Sequence, residues 1–160
     1  MKNHFKREDE LMKKTNNKGF TLVELIVVLV ILAILAAILV PALLGYIDRA
    51  REKQVTTNAE AALVASQALM ADAYKTFANP NTEVTKANIV DLTDIAETSW
   101  QAKYSATSYD STATNMRPMY KITGFTYYSA EYKQTAIWTA TTGQWEVKKG
   151  NQLAGNVTIN

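Results

Sequence analysis

From residue 25 to residue 44 the chain is apolar at twenty consecutive positions, with no polar side chain to define a face. A helix of that length spans about 30 Å, the thickness of a bilayer's hydrocarbon core. The run predicts a helix that is greasy all round and meets a membrane. A different pattern follows it. Residues 48–78 contain neither proline nor glycine, and Val55, Ala59, Ala62, Leu63, Leu69, Met70, Ala73 and Phe77 recur at spacings of three and four. They lie opposite Asn58, Glu60, Gln67 and Lys75, so the segment predicts an amphipathic helix. The sequence "ANPN" at 78–81 stops it.

Beyond that stop the periodicity shortens. Residues 85–99 predict a short helix or loop, with Thr85 as its cap and Ile89, Leu92 and Ile95 on one face. Residues 105–115, "SATSYDSTATN", are small and polar and predict a loop. From Met119 onward "MYKITGFTYYSA", "QTAIWTA" and "QWEVKK" are rich in aromatic and β-branched residues and predict strands. "TTG" at 141–143 predicts the hairpin turn between the last two, and the final ten residues add an edge strand. The expected fold is α+β: a long N-terminal helix whose amphipathic half packs on an antiparallel sheet of three or four strands. The expected division is a leader at 1–19, an apolar half-helix at 20–47 and a globular head at 48–160. Within the head, 48–78 is helix, 79–116 a connecting loop and 117–160 the sheet.

Charge sharpens this division. The whole chain carries a formal +2, but residues 1–19 alone carry +3 and the remainder −1. Lysines ahead of an apolar run favour the cytoplasm, which puts the N-terminus inside and the head outside. The leader contains a second methionine, Met12, so translation starts at Met1 or at Met12. A nearly neutral head gives no charge-based reason to expect nucleic-acid binding. There is no cysteine, and the single histidine, His4, lies in the leader. Disulfides and thiolate chemistry are therefore excluded, and histidine-based catalysis is excluded from the head. No catalytic residue, metal ligand or cofactor is expected.

One charge interrupts the greasy segment: Glu24, in "GFTLVELIVV". A carboxylate in a membrane helix costs roughly 2.5–3.5 kcal/mol at the centre and less near an interface. The one-turn neighbours Phe20, Thr21, Val27 and Val28 bear no cation, so no ionic partner is apparent on the same helix. If the chain is cut before Phe20, a new α-amino group appears at the helix tip. Paired with Glu24 of another copy in a medium of low dielectric constant, it would fix the axial register between copies.

These residues carry a resemblance. "KGFTLVELIVVLVILAILAAILVP" is similar to the class III signal of type IV pilins and pseudopilins: a lysine-rich leader ending in glycine, then phenylalanine, Thr-Leu-x-Glu-Leu and an apolar stretch closed by proline. The likeness runs from about residue 13 to residue 49, where Tyr46 and Arg49 also match. It implies a structural subunit, not an enzyme. Gly19 would precede the cut made by a prepilin peptidase, and Phe20 would be N-methylated by the same protein. Glu24 would serve assembly, and Pro41 with Gly45 would bend or weaken the helix. Further implied partners are an assembly ATPase, a platform protein and other copies of the chain. The single-pass precursor would sit in the cytoplasmic membrane before joining an extracellular filament. A pseudopilus for secretion or DNA uptake is the alternative within the same chemistry, and an anchored or secreted enzyme is the alternative outside it.

Two departures stand out: Ala33 where many members have glycine eight residues before the proline, and the absence of a C-terminal cysteine pair. Without that pair the last segment is expected to be held by strand pairing and by Trp138, Trp145, Tyr127 and Tyr128. Competing readings are plainer. Val40-Pro41-Ala42 offers small residues to an ordinary signal peptidase. The aromatics of the strand region are expected in packing rather than in a stacking surface. Asn156-Val157-Thr158 fits a glycosylation sequon, and Asp91, Asp94 and Glu97 are read as a solvated acidic face rather than a calcium site.

Overall fold

A computed structural model describes residues 19–95 and 100–159. The chain divides into two compact units between Leu44 and Gly45. One helix, α1 (Leu22–Thr76), contributes to both. Residues 22–44 all belong to this helix, and every residue from 19 to 54 is exposed. Among the described residues α1 is the helix long and apolar enough to cross a membrane.

The second unit is an α+β head. After α1 come α2 (Pro80–Glu83), α3 (Lys86–Leu92) and β1 (Trp100–Ser105). A 3-10 turn at Arg117–Tyr120 leads into β2 (Gly124–Ser129), β3 (Gln134–Thr139), β4 (Trp145–Lys149) and β5 (Val157–Ile159). All pairings are antiparallel, in the order β4-β3-β2-β1-β5. The sheet therefore has five strands, not three or four. The extra strand is β1, in a stretch read from sequence as loop.

The burial of α1 follows its predicted face, except that Asn58, expected on the opposite side, is itself buried, its Oδ1 accepting from Gln54 Nε2 at 3.0 Å. Val55, Ala59, Ala62, Leu63 and Met70 are buried in one cluster with Trp100, Ala102, Tyr104, Phe125, Tyr127 and Ala136 of the sheet, and Ala73 is buried as well. At about 25 cal/mol per Å2 of apolar surface removed from water, this face is what binds the helix to the sheet. Phe77 departs from the prediction: its backbone is left-handed (φ 53°) and its ring is exposed. That conformation ends the helix, with Ala78 N–H reaching back to the Ala73 carbonyl at 3.0 Å. Thr85 caps α3 as expected, its Oγ1 accepting from Asn88 N at 3.3 Å. The 141–143 turn joins β3 to β4, with Gly143 at φ +65°.

The C-terminal segment keeps the predicted strand pairing and is held in addition by side chains that were not predicted. After β4 at one sheet edge, it reaches β5 at the other by crossing the face turned away from α1. Two buried threonines on that face hold it. Thr135 Oγ1 donates to Gly150 O at 2.7 Å and accepts from Gln152 N at 3.0 Å. Thr126 Oγ1 donates to Ala154 O at 2.6 Å and accepts from Ala154 N at 3.2 Å. Strand pairing of β5 with β1 completes the attachment, as expected. Trp138, Trp145 and Tyr127 instead line the opposite, core-facing side of the sheet. Gly155 is required at the crossing: its φ is +143°, and a Cβ there would sit 2.9 Å from Tyr104 O.

Candidate processing and assembly site

The N-terminal residues form a small hydrogen-bonded cap. Gly19, Phe20 and Thr21 are not helical, and α1 begins at Leu22. Thr21 Oγ1 accepts from Glu24 N at 3.2 Å. Glu24 Oε2 in turn accepts from Thr21 N and from Thr21 Oγ1, both at 2.8 Å. Reciprocal bonds of this kind satisfy two of the backbone donors that every helix N-terminus leaves open. The carboxylate also lies at the positive end of the helix dipole, where negative charge is favoured.

Glu24 thus has a partner beside it in the chain, a hydroxyl and an amide rather than a cation. The signal was present as Thr-x-x-Glu immediately before an apolar run. Only Oε2 is used in this cap. Oε1 makes no hydrogen bond among the described residues, so half of the carboxylate stays available.

Ahead of the cap the backbone is open. Gly19 is exposed, with no neighbouring atom within 4 Å of a Cβ built on it, and Phe20 is 81% exposed. A protease that binds an extended strand needs such access. Lys18 and the rest of the leader lie outside the described residues. Pro41 lies within α1, where it leaves the Ala37 carbonyl without its usual donor. Gly45 also lies in α1, with no contact within 4 Å of a built Cβ. Tyr46 and Arg49 are exposed.

Among the described residues the head holds no comparable constellation. A cleft of about 330 Å3 is lined by Gln67, Met70, Ala71, Tyr74, Arg117 and Tyr120. Arg117 Nε donates to Tyr74 Oη at 3.4 Å, and Tyr120 Oη donates to Ala78 O at 3.0 Å. These bonds tie the loop before β2 to the end of α1, and the lining holds no carboxylate beside the guanidinium. Asp91 and Asp94 are exposed, while α3 ends at Leu92; Glu97 lies outside the described residues. Asn156 of the sequon is occupied: its Oδ1 accepts from Ala106 N at 2.9 Å and its Nδ2 donates to Ala106 O. Linking a glycan to Nδ2 would use up one of that nitrogen's hydrogens.

Residues 14–40 match the model of the prokaryotic N-terminal methylation motif. The chain carries the class III signal peptide of type IV pilins and pseudopilins. The match takes in Gly19, Phe20, Thr21 and Glu24, and ends one residue before Pro41. A pilin-type motif on a long apolar helix points to a structural subunit and fits a membrane-anchored precursor. The motif implies processing by a prepilin peptidase and assembly in a pilus-type system. No curated protein and no solved structure matches the chain.

Proposed function

We propose that this chain is a type IV pilin: cut after Gly19, N-methylated at Phe20, and polymerised through its apolar half-helix into an extracellular filament. The observation that carries the reading is the pairing of the methylation motif at 14–40 with a half-helix, residues 22–44, whose apolar residues are all exposed. Such a surface suits lipid before assembly and other copies after it. Leaving the bilayer then exposes little apolar area, because the same area is reburied at about 25 cal/mol per Å2 relative to water.

The Thr21–Glu24 cap supports a two-part role for Glu24. Cleavage creates a cation on Phe20, at the positive end of the helix dipole, where it is disfavoured. A nearby carboxylate offsets that charge. Oε2 holds the helix start while Oε1 receives the methylated amine of a neighbouring copy, which keeps its charge and loses one donor. Pro41 and Gly45 would let the helix adjust as copies pack.

The test is the mass of the N-terminal peptide of protein isolated from its native cells. A chain beginning at Phe20 with one added methyl group is the expected result. A start near residue 43, or no processing, would overturn the reading and leave an ordinary secretion signal or anchor.

A further inference from the structure

On the head's part of α1, the side turned away from the sheet carries an ordered line of charges. Arg49, Lys53, Thr57, Glu60, Val64 and Ala68 follow one another at spacings of three and four, and all six are exposed. They lie opposite the buried Val55, Ala59, Ala62 and Ser66. Two local ion pairs form elsewhere on the helix, Asp48 with Arg51 at 3.7 Å and Asp72 with Lys75 at 2.7 Å. Arg49, Lys53 and Glu60 have no ion pair or hydrogen bond among the described residues. The line therefore starts with two unpaired cations and meets its unpaired anion two turns later.

We infer that this line is a contact between copies, with Lys53 of one subunit beside Glu60 of the next. The inference rests on the filament reading above and adds an axial offset to it. Lys53 and Glu60 are seven residues apart, a rise of about 10.5 Å along a helix. Two parallel copies displaced by that amount bring the opposite charges together. The same displacement sets Val64 against Thr57 and Ala71 against Val64, an exposed apolar side chain meeting small or apolar ones each time.

Other offsets fare worse. With no offset, Lys53 meets Lys53 and Glu60 meets Glu60. With four residues, Lys53 meets Thr57 and Glu60 meets Val64; with eleven, Arg49 meets Glu60 but Lys53 meets Val64. Repulsion at zero offset is as informative as attraction at seven, since it rejects the wrong register. A contact between non-equivalent patches propagates into an open helical polymer, not a closed dimer.

Charge exchange in the full chain tests this, with filaments sheared from cells weighed against processed subunit left behind. Lys53→Glu and Glu60→Lys should each lower the filament yield about fivefold or more, because a repulsive contact recurs at every subunit. Lys53→Glu combined with Glu60→Lys should return it to within about twofold of the parent, the residual reflecting altered surroundings. Singles that assemble normally, or a double no better than the singles, would overturn the inference. Loss in Lys53→Glu alone would overturn it in favour of a phospholipid surface as the occupant. A processed parent that forms no filament would overturn the filament reading itself. The chain has no cysteine, so Lys53→Cys with Glu60→Cys should oxidise to a ladder of linked subunits. Lys53→Cys with Val64→Cys should not, and equal ladders from both would also count against the register.

Discussion

Val55 is fully buried, whereas Val40, on the same helix, is 52% exposed. The residue is identical and the secondary structure is identical; only the neighbours differ. From residue 55 onward, α1 alternates a face that meets the sheet with one that does not, so the head satisfies its own hydrophobic surface. From residue 25 to residue 44 there is no polar face, and the side chains are exposed among the described residues. The composition of that half makes sense only with lipid or other copies around it. One region of this chain is explained by its own fold, and the other only by surroundings that the fold does not supply.

Glu24 is where the comparison is most exposed to test, and it should give the largest effect. If the carboxylate only caps its own helix, Glu24→Gln should assemble normally, because glutamine also serves a capping box. If its charge meets a neighbour's amine, Glu24→Gln should still be cleaved and methylated but yield at least about tenfold less filament, the scale of a lost charge-assisted contact. Thr21→Val makes the opposite cut, removing the hydroxyl while leaving the charge. It should cost the helix start about 1 kcal/mol and reduce assembly far less. Sheared-filament yields from the three strains decide between the two roles. Equal loss in Glu24→Gln and Thr21→Val would reduce Glu24 to a cap.

Legibility divided along the same line. The apolar half-helix, the amphipathic face and the Gly19–Phe20–Glu24 set could be read because each is local: adjacent identities or a period of 3.6. The cap is equally local, as Thr-x-x-Glu, but its partner for Glu24 is a neutral hydroxyl and amide that no charge pattern marks. β1 was missed because "WQAKYS" buries only Trp100, Ala102 and Tyr104, with Gln101 and Lys103 between them and a polar loop behind. Three alternating positions are a short signal. The threonine clasps join residues 15 to 28 apart across a sheet face. Nothing in the sequence around Thr126 or Thr135 distinguishes them from other strand threonines.

Those clasps lie wholly within the head. Thr135→Val leaves Gly150 O and Gln152 N without their partner at a fully buried site. It should destabilise the head by about 1–3 kcal/mol, seen in thermal unfolding of the mature protein. Gly155→Ala should lose a comparable amount, about 2 kcal/mol, through strain against Tyr104 O. Neither should change cleavage after Gly19. An unaltered melting curve for both would mean that the crossing segment contributes little to the fold.

A pH dependence confined to the head should follow from Tyr104. Its phenol is fully buried, donates to Asn81 Oδ1 at 2.8 Å, and is pushed up to about 12 by burial. An unfolded tyrosine titrates near 10. The folded state therefore holds the proton more tightly, and the associated stability is complete below about pH 10 and lost as pH rises toward 12. The loss should be on the order of 2 kcal/mol, and Tyr104→Phe should flatten that limb of the stability curve. A Tyr104→Phe protein with an unchanged alkaline limb would assign the transition to other groups.

The smallest effect should come from Gly45, just past the division between the two regions. A helix interior disfavours glycine relative to alanine by about 1 kcal/mol. Here no steric reason keeps it, since a built Cβ has nothing within 4 Å. Gly45→Ala should therefore be accommodated, raise helix content slightly in detergent, and leave cleavage unchanged. If glycine persists because the helix must yield near Pro41 during packing, the same substitution should slow filament growth modestly, within about threefold, since roughly 1 kcal/mol of added stiffness shifts an equilibrium by no more than a factor of five. Faster or unchanged growth would remove Gly45 from the assembly machinery and leave Pro41 as the helix's single weak point. The comparison would then tighten: the change from partner-dependent to self-sufficient helix would owe nothing to a hinge, and everything to where the polar residues begin.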